Sequence, residues 1–103
     1  MANICDNTFY AISENEENID YIHDFFENSD YTYVLGFKEY NEIEIYFESK
    51  WIFPGDFMQD LINGIPYKED IYMRCLSVEY GCEYVAFNKW EGDIDHWIHV
   101  LWK

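Results

Sequence analysis

The segment Glu42–Ser49 alternates without a break, with Ile43, Ile45 and Phe47 at one parity and Glu42, Glu44, Tyr46 and Glu48 at the other. Successive side chains of a strand point to opposite faces, so this stretch is predicted to be a strand with one buried and one wet face. It is the clearest local signal in the chain. Whatever fold forms must include a sheet that is open on one side.

The flanking sequence supplies the rest of that sheet and its cover. Ile4–Ile12, with Thr8, Phe9, Tyr10 and Ile12, reads as a first strand. Ser13-Glu14-Asn15-Glu16 has the form of a capping box, which predicts a helix beginning there. Ile19, Ile22 and Phe26 fall on one side of that helix, and Asn28-Ser29-Asp30 ends it with turn-forming residues. Tyr31–Phe37 is expected to be a second strand, joined through Glu39-Tyr40-Asn41 to the alternating third. Pro54-Gly55-Asp56 opens a second helix with Phe57, Met58, Leu61, Ile62 and Ile65 toward the core, Gly64 as its C-terminal cap and Pro66 as its stop. Ile71–Tyr80 and Glu83–Trp90 read as a hairpin turning at Gly81, and Trp97–Trp102 as either one more strand or a short helix. The order β-α-β-β-α-β plus an additional C-terminal element is that of a ferredoxin-like split βαβ, an α+β fold with both helices on one face of an antiparallel sheet. At 103 residues, half of them hydrophobic, the chain is expected to form one domain, 1–103, with a real core.

Charge narrows the functions open to such a domain. The formal net charge is -15, from 21 Asp and Glu against 6 Lys and Arg. A chain so negative has no basic footprint with which to hold DNA, RNA or an anionic membrane. The first 37 residues contain eight acids and neither Lys nor Arg. Within the first helix Glu17, Asp20, Asp24 and Glu27 recur at spacings of three and four, forming a stripe opposite Ile19, Ile22 and Phe26. At about 1.5 Å per residue they span roughly 15 Å, one charge per about 5 Å. A DNA strand carries one charge per about 3.4 Å. Glu42, Glu44 and Glu48 make a second row on the wet side of the third strand, alternate residues lying about 6.6 Å apart. Tyr21, Tyr40 and Tyr46 near these rows are candidate desolvated anchors for a partner.

These rows are expected to occupy the basic nucleic-acid-binding groove of another protein, in place of nucleic acid itself. A plainer reading stays open beside it, in which the acids keep a very aromatic small domain soluble and monomeric; on either reading the chain is expected to be a monomer or weak homodimer. A further alternative is an accessory or assembly module that binds a protein partner, or itself, through aromatic patches such as Trp97 and Trp102.

Catalytic and cofactor chemistry lacks its usual signatures. Cys75 and Cys82 are seven apart and His96-x-x-His99 lies beyond them, wider than structural zinc pairs, so no metal or cofactor is expected. A thiol nucleophile at Cys75 or Cys82 would need His23, His96 or His99 as its base, and an acidic domain raises a thiol pKa where reactivity wants it lowered. There is no Gly-rich phosphate loop, and Arg74 is the sole arginine. A non-catalytic protein is expected. The odd number of cysteines, the absence of a leader in Met1–Asp6 and the absence of a long apolar run point to the cytoplasm.

Three local patterns carry a family resemblance. Asn3-x-Cys5-x-Asn7, Phe47-x-Ser49-x-Trp51-x-x-Pro54 and Glu79-x-Gly81-x-x-Tyr84-x-Ala86 resemble, in order and spacing, passages of the YubB-like family of ferredoxin-like domains from phages and plasmids. Ile4 stands where that family usually has an aromatic, the second proline after Pro54 is absent, Ala86 replaces a glycine, and the stretch between helix one and strand three is shorter. The resemblance implies a ferredoxin-like fold, an origin on mobile elements and no catalytic residues. It gives the motifs structural roles, with Trp51 and Pro54 forming a corner and Cys5 a small buried side chain. Joined to the acidic rows, it implies an inhibitor of a host defence enzyme, a CRISPR effector or a restriction enzyme.

Overall fold

A computed structural model of the chain describes residues 4–81, 83–92 and 94–102, leaving aside the side chains of Leu101 and Trp102. Its elements are β1 (Ile4–Ile12), α1 (Glu16–Glu27), β2 (Tyr33–Lys38), β3 (Glu42–Lys50), α2 (Gly55–Gly64), a 3-10 turn (Lys68–Asp70), β4 (Tyr72–Glu79), β5 (Tyr84–Glu91) and β6 (Ile98–Trp102). The strands form a six-stranded sheet in the order β2-β3-β1-β4-β5-β6, antiparallel at every pairing. The fold is α+β, as the pattern of elements predicts. Ile98–Trp102, whose sequence suits a strand or a short helix, forms the strand β6, paired with β5.

Period-two patterning decides which way each strand faces. Phe9 and Ala11 of β1, Ile43, Ile45 and Phe47 of β3, Met73 and Cys75 of β4 and Trp90 of β5 point to one side. There they meet Ile19, Ile22 and Phe26 of α1 and Met58, Leu61 and Ile62 of α2 in a single core. Both helices therefore cover the same face. Phe26 packs on Phe47 with centroids 5.1 Å apart, and Phe57 of α2 closes on Tyr31 at 4.5 Å. Aromatic pairs of this kind contribute about 0.5–1.5 kcal/mol each beyond their buried area.

Several element ends differ from expectation, each for a local reason. The α1 cap is Asn15, whose side-chain oxygen accepts the Glu17 N–H at 3.0 Å, in place of Ser13. The Ser13 hydroxyl is committed elsewhere, since it donates to the Asp70 carbonyl and accepts from Asn15 N–H and Asn18 Nδ2. Fully buried Asn18 exchanges hydrogen bonds of 3.0 Å with both backbone groups of Tyr67, tying α1 to the segment before β4. β2 begins at Tyr33 because Tyr31 turns inward against Phe47 and Phe57. Gly64 is the last residue of α2 and Ile65 the cap. A Cβ on Gly64 would overlap the hydroxyl of Tyr21, which donates to the Leu61 carbonyl at 3.3 Å, so the glycine admits a neighbouring side chain.

At the corner after β3, Trp51 has φ 70° and Ile52 N–H donates to Lys50 O at 2.8 Å, a γ-turn that bends the chain toward α2. Trp97 does not form a surface patch. It is buried against Phe53 at 5.6 Å, with its indole N–H donating to the Met58 carbonyl at 3.0 Å. The Trp102 side chain lies outside the described residues.

Candidate functional site

On the outer side of α1, Glu17, Asp20, Asp24 and Glu27 are all exposed, as a helix whose other side buries Ile19, Ile22 and Phe26 requires. Two of the four already have partners. Lys38 donates to Asp20 at 2.8 Å, and the Tyr33 hydroxyl donates to Glu27 while lying 3.1 Å from His23 Nε2. The bond to Glu27 pushes the Tyr33 phenol up to about 12. Beside the stripe, Tyr21, Phe25, Tyr31 and Phe57 wall a groove of about 500 Å³ whose rim carries Asp24 and Asp30. Tyr21 belongs to this wall, and burial, then the charge of Asp60, raises its phenol.

Glu42, Glu44, Tyr46 and Glu48 share one parity of β3, opposite the parity that packs on the helices. The two acidic rows thus lie on opposite faces of the molecule and do not join into one surface. Two of the carboxylates of β3, Glu42 and Glu44, are also occupied locally. The Tyr10 hydroxyl donates to Glu42 at 2.5 Å, and the Tyr46 hydroxyl donates to Glu44 at 2.6 Å. Burial, followed by the bond to Glu42, pushes the Tyr10 phenol up to about 12. The bond to Glu44 raises that of Tyr46. Tyr40 stands exposed in the β2–β3 turn.

Around β3 the open face is apolar to a degree the acidic pattern does not announce. Val34 is 63% exposed, and Ile12, Phe37, Tyr46 and Leu76 are also exposed. Gly36 marks the bulge between Leu35 and Phe37, where a Cβ would come within 2.8 Å of the Tyr46 ring. Arg74 lies over the Tyr10 ring, 4.4 Å from its centroid, with the Tyr72 ring 6.0 Å away. Tyr72, Arg74 and Leu76 alternate with buried Met73, Cys75 and Ser77, and that alternation is the signal by which sequence could have found this surface.

The three motifs behind the family resemblance converge on the helix-facing side of the sheet, although Asn3 lies outside the described residues. Asn7 Nδ2 donates to Ser49 Oγ at 2.9 Å, Ser77 Oγ donates to Asn7 Oδ1 at 2.7 Å, and Ser49 Oγ donates to Ile52 O at 2.8 Å. Phe53 N–H donates to the Tyr84 hydroxyl at 3.3 Å, and the Glu79 carboxylate accepts the Gly81 N–H at 2.8 Å. The bonds among Asn7, Ser49, Ser77 and the corner satisfy buried polar groups across strands, as buried polar atoms require, while that of Glu79 closes the turn after β4.

Cys5 and Cys75 are buried beside this network. Burial pushes the Cys75 thiol up to about 12 and raises that of Cys5, the reverse of what a nucleophile needs. Cys82 lies outside the described residues. His96 precedes β6, so it and His99 line one groove with Asp56 and Tyr84, where a strand running through 96 would have opposed them. Among the described residues no group of three His, Cys, Asp or Glu is placed to hold a metal ion, and no helix is long and apolar enough to cross a membrane. Comparison with protein-family models, with curated proteins and with solved structures finds no match to this chain.

Proposed function

We propose that this is a non-catalytic acidic binding protein that blocks the basic nucleic-acid-binding groove of another protein by standing in for nucleic acid. The observation that carries the reading is the outer face of α1, where Glu17, Asp20, Asp24 and Glu27 line up beside an aromatic-walled groove rimmed by Asp24 and Asp30. Carboxylates in register attract the cations of such a groove and orient the encounter. The aromatic walls add a place where a lysine or arginine of the partner stacks on Tyr or Phe rings. Because β3 faces the other way, the binding surface of this reading is the helix layer alone, and Glu42, Glu44, Tyr46 and Glu48 fall outside it.

The strand order β2-β3-β1-β4 with two helices on one face supports a ferredoxin-like split βαβ, extended at one edge by β5 and β6. Together with the resemblance to phage and plasmid domains, the proposed target is a host defence enzyme, a CRISPR effector or a restriction enzyme. The test adds the protein to such an enzyme and follows nucleic-acid binding. Wild type should compete, while the variant with Glu17, Asp20, Asp24 and Glu27 all changed to Lys should fold and fail to compete. Undiminished competition by that variant would reject the mechanism.

A further inference from the structure

We propose that the open face of the sheet is covered by a second copy of this chain, related by a two-fold axis that runs along β1. The face mixes charges of both signs, unlike the helix layer, where residues 14–30 hold acids and no Lys or Arg. It holds Asp6, Glu42, Glu44, Glu48 and Glu91 against Lys50, Arg74 and Lys89. The two signs are unevenly distributed, with Lys50 at the end of β3 and Glu91 at the end of β5, where it pairs with Lys89. Glu42, Glu44 and Glu48 lie on β3, one strand to one side of β1, while Arg74 and Lys89 lie on β4 and β5 to the other side. Such a surface complements itself when turned over about its own middle strand, which is the condition for an isologous interface.

The register makes the pairing specific. Tyr10 sits opposite Glu44 on one side and Arg74 on the other, so Glu44, Tyr10 and Arg74 form one row across the sheet. Thr8 sits likewise between Tyr46 and Leu76. Rotation about β1 lays β3 of one copy over β4 of the other. Glu44 then meets Arg74 of the second copy, Tyr46 meets Leu76, and Phe37, one strand further out, meets Lys89. Each contact occurs twice. An axis perpendicular to the strands through Tyr46 would instead set β3 on β3 and oppose Glu44 to Glu48 twice while leaving Arg74 without a carboxylate. The axis along β1 opposes only Asp6 to its own copy and gives Arg74 its Glu44, so the charges favour the axis along β1.

Size permits it. The strands that overlap, β2 to β5, span four spacings of about 4.8 Å by eight residues of about 3.4 Å, a face of roughly 520 Å² on each copy, which meets the ~1,000 Å² total that a specific interface needs. The exposed Ile12, Val34, Phe37, Tyr46 and Leu76 supply its apolar part. The acidic helix layers would then point outward at the two far ends, where their mutual repulsion is screened.

Sedimentation velocity from micromolar to millimolar concentration tests this without reference to any inhibited enzyme, so its outcome is separate from that of the mimicry reading. Wild type should form a dimer, and Leu76→Glu should remain a monomer with an unchanged far-UV spectrum. Glu44→Arg and Arg74→Glu should each weaken the dimer by at least about tenfold, because each opposes like charges at two contacts. Mixed in equal amounts, these two variants should dimerise with one another, since each then supplies what the other lacks. Three results would overturn the proposal: a wild type that is monomeric at millimolar concentration, a dimer indifferent to all three substitutions, or failure of the two weakened variants to associate when mixed. A monomer that loses a different macromolecular ligand on Leu76→Glu would assign the face to that ligand and count against a second copy.

Discussion

The helix layer and the open sheet face bury their inner sides in the same core, yet they present opposite exteriors. Residues 14–30 contribute Glu14, Glu16, Glu17, Asp20, Asp24, Glu27 and Asp30 without one Lys or Arg, and α2 adds Asp56 and Asp60. The sheet face interleaves acids with cations and leaves Val34, Ile12 and Leu76 in solvent. A uniformly acidic exterior would serve solubility alone. An exterior that is acidic on one side and apolar with mixed charge on the other is divided in a way that solubility does not require.

The largest expected effect comes from cutting the tie between the two regions. Phe26 reaches Phe9, Phe47 and Phe57 and is fully buried, so Phe26→Ala should cost about 3–5 kcal/mol in chemical denaturation. Leu76→Ser, on the solvent side of the same sheet, should stay within about 0.5 kcal/mol at concentrations where the chain is monomeric. Equal effects would mean that the faces are not what their burial says.

Next comes the seam between the helices. Gly64→Ala would gain about 1 kcal/mol in an ordinary helix. Here the new methyl group meets the Tyr21 hydroxyl, and the net change should be a loss of about 1–3 kcal/mol, partly recovered in combination with Tyr21→Phe. Asn15→Ala should cost about 1 kcal/mol, because the Glu17 N–H loses its acceptor.

Much of this was legible in the chain. β1 runs Ile4–Ile12 as read, and the parity of β3 is as read, because period two leaves no freedom once one face is apolar. The separation of the acidic rows follows from the same parity, since the helices must cover Ile43, Ile45 and Phe47 and therefore leave Glu42, Glu44 and Glu48 on the far side. The α1 cap was less legible, because Ser13 and Asn15 are both good caps and the contest was settled by Asp70, 57 residues away from Ser13 in sequence. Trp97 reads as a surface aromatic from sequence because nothing local announces that Met58 offers its indole an acceptor. The buried network of Asn7, Ser49 and Ser77 joins three strands, and its members are recognisable only once the register is known.

A smaller effect is expected from alkaline pH. Tyr10 and Tyr33 have folded pKa values raised to about 12, Tyr10 by burial and its bond to Glu42, Tyr33 by its bond to Glu27. A raised pKa means the folded state holds the proton longer than the unfolded state. The stability involved is therefore whole below pH about 10 and is lost as pH rises toward about 12. Phenolate absorbance should show a late-titrating fraction that disappears on unfolding, and Glu27→Gln should bring Tyr33 back toward its ordinary range while Tyr10 stays late.

The helix layer's role is tested most directly by competition for a target enzyme's nucleic-acid groove across a salt series, comparing wild type with the variant carrying lysines at 17, 20, 24 and 27 and with Glu44→Arg. Competition by wild type should fall steeply with salt, vanish in the helix variant and persist in Glu44→Arg. Competition that ignores salt and survives reversal of α1, but is lost with Glu44→Arg, would place binding on the sheet and contradict the account.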